Sequence, residues 1–124
     1  MKIVSYQNGR DYAFILNSLI HEKWSIYYHE KAEDYRWALE SSYTYVAYVD
    51  EKYAGYIRAI SDGVFTAMIC ELIVDEAYRN KGIARELIRE VRNRFKGARI
   101  ELLCDNPEIY EHRGFTKVGY GMRR

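Results

Sequence analysis

Leu72-Ile73-Val74-Asp75-Glu76-Ala77-Tyr78-Arg79-Asn80-Lys81-Gly82-Ile83-Ala84 is the stretch on which the fold turns. An apolar run ends at Val74, a short polar loop follows, and the period then becomes helical. Over residues 81 to 95, Ala84, Leu87, Ile88, Val91 and Phe95 share one face, with Arg85, Glu86, Arg89, Glu90, Arg92 and Arg94 on the other. Gly97 stops this helix, and Ala98 to Cys104 reads as a short apolar strand suited to a buried parallel place beside the strand ending at Val74. Strand, helix and strand at this spacing predict a right-handed βαβ crossover. The helix start leaves about four backbone N–H groups unpaired and carries about half a positive charge, which makes it an anion site. Gly82 removes the Cβ that would keep an anion from the backbone, and Arg79, Lys81 and Arg85 add charge around it. Taken alone, the same glycine also suits a tight turn flanked by solvated basic residues.

Upstream, the period is two. Tyr43 to Val49, Tyr53 to Ile60 and Val64 to Val74 are rich in aromatic and β-branched residues and are broken at Asp50-Glu51-Lys52 and Ser61-Asp62-Gly63. They predict a three-stranded antiparallel meander. Before it, Tyr12, Ile15, Leu16, Leu19 and Ile20 line one helical face, and residues 30 to 40 give a weaker helix. Ile3, Val4 and Tyr6 form a first strand that Asn8-Gly9 ends. Downstream come a short helical turn around Pro107 to His112 and a last strand from Phe115 to Tyr120. The expected class is α/β (α+β), one domain over residues 1–124, with a mixed sheet of meander plus parallel pair flanked by helices.

The 124 residues fit one ordinary domain, and 19 basic against 18 acidic side chains exclude nucleic-acid binding by bulk charge. The charge is unevenly placed: residues 1–78 hold 7 basic and 12 acidic side chains, net −5, and residues 79–124 hold 12 and 6, net +6. Cys70 and Cys104 are too few for a disulfide framework and sit in apolar runs, so both are expected reduced. No segment approaches the roughly 20 apolar residues that span a bilayer, so a cytoplasmic location without a membrane partner is expected. His21 and His29 lack Cys or carboxylate partners at ligand spacing, and no metal is expected.

Arg79-Asn80-Lys81-Gly82-Ile83-Ala84 fits an Arg/Gln-x-x-Gly-x-Gly/Ala signature, preceded by Leu72-x-Val74. Farther on, Ile109-Tyr110-Glu111-His112-Arg113-Gly114-Phe115 fits an aromatic-Tyr-x-x-x-Gly-Phe segment. In these two signatures, their order and the element order of nearly the whole chain, the sequence resembles the GCN5-related N-acetyltransferases (GNAT).

That resemblance implies an acetyl-coenzyme A dependent N-acetyltransferase acting by direct attack in a ternary complex. The loop amides from Arg79 through Asn80, Lys81, Gly82, Ile83 and Ala84, with Arg85, would wrap the coenzyme diphosphate, and Asn106 would add a contact. The pantetheine arm would pair with Leu72, Ile73 and Val74 where the two parallel strands splay, and amides near Ile73 and Val74 would serve the developing oxyanion. Tyr110 matches the family's general acid. For the base, Glu71, Glu101 and a water-mediated route stand side by side. Cys104 would approach the coenzyme thiol or serve as a buried structural thiol.

The acceptor wall of that fold maps onto Trp24, Tyr27, Tyr28 and Trp37, with Glu22, Glu30, Glu33 and Asp34 nearby; aromatic faces and carboxylates suit a cationic amine such as a small amine, a polyamine or a lysine side chain. The same residues also read as core aromatics beside a solvated acidic face. Asn106 stands fewer residues from Tyr110 than the family pattern has, which leaves a second reading: a coenzyme-binding sensor or interaction module with little turnover. Only one strand is expected after Gly114-Phe115, where many relatives have two, so a partner copy in a homodimer is a way to complete the edge. A phosphate-binding nucleotide loop is excluded, because Lys81-Gly82 lacks the Gly-x-x-x-x-Gly-Lys-Ser/Thr arrangement.

Overall fold

The structure, a computed structural model, describes residues 1–124. In chain order it holds β1 (Lys2–Ser5), α1 (Asn8–His21), a π-helical turn (Ile26–Glu30), α2 (Ala32–Ser41), β2 (Tyr43–Val49), β3 (Lys52–Ser61), β4 (Thr66–Val74), a 3-10 turn (Glu76–Tyr78), α3 (Ile83–Arg94), β5 (Arg99–Leu102) and α4 (Pro107–Glu111). One sheet runs β1-β2-β3-β4-β5, antiparallel throughout except for the parallel pair β4 and β5. The meander and the crossover are thus as the periodicities predict.

The two faces are covered by different helices. Ile83, Leu87, Ile88 and Val91 of α3, with Phe95 just after it, pack on Tyr45, Ala47, Ile57, Ala59, Ala67 and Ile69. On the other face, Ile15 and Leu19 of α1 and Tyr35 and Leu39 of α2 pack on Val46, Tyr53, Tyr56 and Ile73. Full burial of each such aliphatic side chain contributes about 1.5–3 kcal/mol, so the two layers together hold the sheet between them.

One irregularity in β4 positions everything that follows. The register pairs Ile69 with Ala59 but Glu71 with Arg58, so Cys70 is an extra residue, a β-bulge. Pairing of β4 with β5 runs only from Thr66 with Arg99 to Ile69 with Leu102. The bulge and the parting of the parallel strands therefore fall at the same place, and β4 continues for Cys70 to Val74 with a neighbour on one side only. The extra residue also reverses the side-chain alternation: Ala67 and Ile69 face α3, whereas Ile73 faces α1 and α2.

Several boundaries differ from the sequence reading. Asn8-Gly9 lies inside the first turn of α1 instead of ending β1, β4 starts at Thr66 rather than Val64, and β5 is confined to Arg99–Leu102, leaving Cys104 exposed. The expected strand Phe115–Tyr120 does not form, and the sheet ends at β5. Gly114, at φ +87°, donates to the Glu111 carbonyl while Phe115 donates to that of Tyr110, the two bonds of a Schellman cap on α4. The Phe115 ring folds back edge-on to Tyr110, centroids 5.9 Å apart. Beyond it Val118, Tyr120 and Met122 alternate as in a strand but stay 81%, 87% and 94% exposed and pair with no strand. No helix is long and apolar enough to cross a membrane.

Candidate active site

The open edge of β4 is the floor of the site. The Asp75 N–H donates to Ala54 of β3 at 2.8 Å, so strand alternation turns the polar groups of Ile73 toward β3 as well and those of Leu72 and Val74 toward the edge that β5 leaves uncovered. Of the two amides expected to face an oxyanion, Val74 therefore meets the open edge and Ile73 is engaged in the sheet. The Arg79 Nε donates to the Val74 carbonyl at 2.9 Å, which shows that the carbonyl is accessible from that side.

Beyond Val74, the chain turns through two left-handed residues into the start of α3. Asn80 and Gly82 take φ of +62° and +81°, and α3 starts directly after Gly82. Left-handed residues just ahead of a helix turn successive N–H groups to one side, a concavity that suits an anion. A Cβ built on Gly82 meets no atom within 4 Å apart from its chain neighbours, so the space on that side is open. The residues present thus fit a diphosphate. Their charges are arranged differently from the expectation: the Arg79 guanidinium is committed to Val74 and, at 2.6 Å, to Glu22, and Lys81 lies over the Tyr78 ring with Nζ 5.7 Å from its centroid. Arg85 is exposed and makes no ion pair.

Tyr110 stands on α4, half-buried, with its hydroxyl in no hydrogen bond. Burial pushes its phenol above the ordinary value, against the pull of Arg113, whose guanidinium lies 5.8 Å from the ring. Asn106 is exposed immediately before this helix of five residues. Glu101 lies in β5 between Ile100 and Leu102, both packed toward α3, so alternation turns it to the opposite face. It is partly exposed and enters no ion pair or hydrogen bond.

Glu71 is quite different. It is 3% exposed, and Arg58 donates to both its oxygens, Nε to Oε1 and Nη2 to Oε2, each at 2.6 Å. Tyr35 donates to Oε1 at 2.5 Å and shares a 2.7 Å bond with the Tyr56 hydroxyl. Burial, then Tyr56 and Glu71, drive the Tyr35 phenol far up, while Glu71 overcomes the burial of Arg58 and raises its guanidinium. Above this group sits the aromatic turn: the Tyr27 ring is 4.7 Å from Tyr35 and 6.3 Å from Trp24, and Tyr28 packs beside them. Trp37 is 71% exposed on α2 and stands apart from that wall, and Glu30, Glu33 and Asp34 are all solvated.

Three residues that the sequence reading left aside belong to this constellation. Arg58 and Tyr35 hold Glu71, and Ser18 of α1 donates to Asp75 at 2.6 Å at the exit of β4. Arg58 stands out only once the β3 to β4 register is known, and Ser18 only once α1 is laid over the sheet. No group of three or more His, Cys, Asp or Glu is arranged to hold a metal.

The family model for the acetyltransferase (GNAT) family matches residues 13–120. Among solved structures, glucosamine-6-phosphate N-acetyltransferase of Arabidopsis thaliana superposes with a TM-score of 0.71 at 14% identity, covering 99% of this chain and 96% of that one. An acetyltransferase of Trypanosoma brucei gives 0.70 at 19%, covering 99% and 97%, and aminoglycoside 6'-N-acetyltransferase of Acinetobacter haemolyticus 0.70 at 18%, covering 100% and 99%. At these identities the structural likeness speaks for the fold. No curated protein matches the sequence.

Proposed function

The chain belongs to the GNAT acetyltransferase family, and on that premise we propose that it transfers an acetyl group from acetyl-coenzyme A to a primary amine within a ternary complex. One observation carries the reading: the uncovered edge of β4 ends at Val74, and the open cradle around Gly82 follows within eight residues of the same chain. Asn80 to Ala84 would hold the diphosphate, and the edge at Leu72 and Val74 would take the extended arm by β-augmentation. Bound there, acetyl-coenzyme A supplies the activated acyl group.

The protein's own groups divide the remaining work. The Val74 amide faces the gap, where a fixed N–H stabilises developing negative charge. Tyr110 keeps its proton on Oη through neutral pH, because burial raises the phenol, and so holds it ready for a departing thiolate. Glu101 suits the base: its carboxylate is unpaired and lies on the acceptor face of the strand that borders the gap. Glu71 suits it poorly, since three donors occupy its two oxygens. Trp24, Tyr27 and Tyr28 then form an aromatic wall against which a cationic amine is favoured.

Coenzyme thiol release in the presence of a panel of amines, including glucosamine 6-phosphate, aminoglycosides, polyamines and a lysine peptide, tests this reading. Release above the amine-free rate with at least one acceptor is expected. Tight coenzyme binding without release for any of them favours a binding module instead, to which the five-residue α4 would point.

A further inference from the structure

The last part of α1 is fastened to the coenzyme loop at three positions with helical spacing. Ser18 donates to Asp75 at 2.6 Å and also lies 3.0 Å from the Tyr53 hydroxyl, His21 stands 3.5 Å from Glu76, and Glu22 accepts from Arg79 at 2.6 Å. Positions i, i+3 and i+4 share one face of a helix, so a single stripe of α1 meets the whole exit of β4. Ser18 is 3% exposed, which makes it the fixed point, while the Glu22–Arg79 ion pair and the His21–Glu76 contact are open to solvent.

What lies at either end of this fastening gives it a use. Only one residue after Glu22, Lys23 turns the chain at φ +62°, with its N–H on the Ile20 carbonyl and that of Trp24 on Leu19, again a Schellman cap. Tyr27 then donates its N–H to the Trp24 carbonyl, so the aromatic turn follows directly on the end of α1. At the other end, Arg79 holds both Glu22 and the Val74 carbonyl and stands at the head of the cradle.

Resting on the coenzyme reading above, we infer that Ser18 and Glu22 are positioning residues that latch the coenzyme loop to the acceptor wall, so that filling the cradle sets the place of Trp24. Two sites coupled through such a contact influence one another reciprocally, and a ligand of the loop shifts the wall only through contacts that differ between its states. Each acts through its partner on the loop, Ser18 through Asp75 and Glu22 through Arg79.

Trp24 reports on the latch. In a chain carrying Trp37→Phe, which leaves Trp24 as the single tryptophan, calorimetry and tryptophan emission are followed together while coenzyme A is added. Saturable heat and a saturable change in Trp24 emission with the same midpoint are expected. Adding Ser18→Ala and Glu22→Gln should leave the calorimetric Kd within about threefold but reduce the emission change by more than half. In turnover, Glu22→Gln alone should raise KM for the amine several-fold with KM for acetyl-coenzyme A little changed. Coenzyme heat with no change of Trp24 emission in the parent, or an undiminished change in the latch variant, overturns the latch and leaves the coenzyme reading standing. Absence of heat in the parent overturns the coenzyme reading and the latch with it.

Discussion

Arg58 grips Glu71 through Nε and Nη2, 2.6 Å each, from the position directly opposite it in the β3 to β4 register and one residue past the bulge that turns β4 away from β5. The pair is almost wholly buried, with side-chain exposures of 13% and 1%. It pins the strand where the gap opens. Removing one partner leaves the other charge buried and alone, so Arg58→Met or Glu71→Gln should each cost about 3–5 kcal/mol in urea unfolding, whereas Arg58→Met with Glu71→Leu should recover most of the loss. The double variant should also keep thiol release within a few-fold. A chain that is stable yet inactive would instead make Glu71 the base.

Tyr110 and Glu101 are separated by the pH profile. Because burial raises the Tyr110 phenol above 10, kcat should show no alkaline fall below about pH 10 that Tyr110→Phe abolishes. Tyr110→Phe should lower kcat well before it alters coenzyme affinity. Glu101→Gln should lower kcat by about 10²–10⁴ and flatten the acid limb. An unchanged acid limb in Glu101→Gln transfers the base to water.

Asp11 links the stability of α1 to acid. Burial would raise its pKa, but hydrogen bonds from Arg10, Tyr48 and the Gln7 amide overcome this and hold it below the ordinary value of 3.8. A carboxylate depressed on folding stabilises above its unfolded pKa, and that stabilisation is lost as pH falls through the folded value. Stability should therefore decline from about pH 4 downward, more steeply in the wild type than in Asp11→Asn. At neutral pH the substitution should cost about 1–3 kcal/mol, since it leaves buried donors poorly matched.

Gly82 separates fold from function. A methyl group there meets no protein atom within 4 Å, yet φ is +81°, so Gly82→Ala should cost about 1–2 kcal/mol by thermal or urea unfolding. It should weaken coenzyme binding by more than that, because the methyl group enters the space of the diphosphate. Equal losses of stability and affinity would place the ligand elsewhere.

The meander, α3 and the turn at Gly82 were legible in the sequence because each rests on a local period or a local turn. Gly114-Phe115 was legible as a motif, and its physical content is a helix cap that brings Phe115 onto Tyr110. The final strand was not, since alternation at Val118, Tyr120 and Met122 does not by itself bring the segment onto the edge of β5. The surroundings of Glu71 were hidden for a related reason. Its burial depends on one extra residue at Cys70, which swaps the faces of β4, and on Arg58, 13 positions away. Bulges and ion pairs across strands are properties of the register, which no single strand encodes.

Amide chemical shifts followed during titration with acetyl-coenzyme A test the central claim most directly. The largest changes should gather on Asn80 to Ala84 and on Leu72 and Val74, saturating together. Changes confined to the hollow of about 400 Å³ beside Arg89, Arg92 and Lys96 at the far end of α3, or none anywhere, would contradict it.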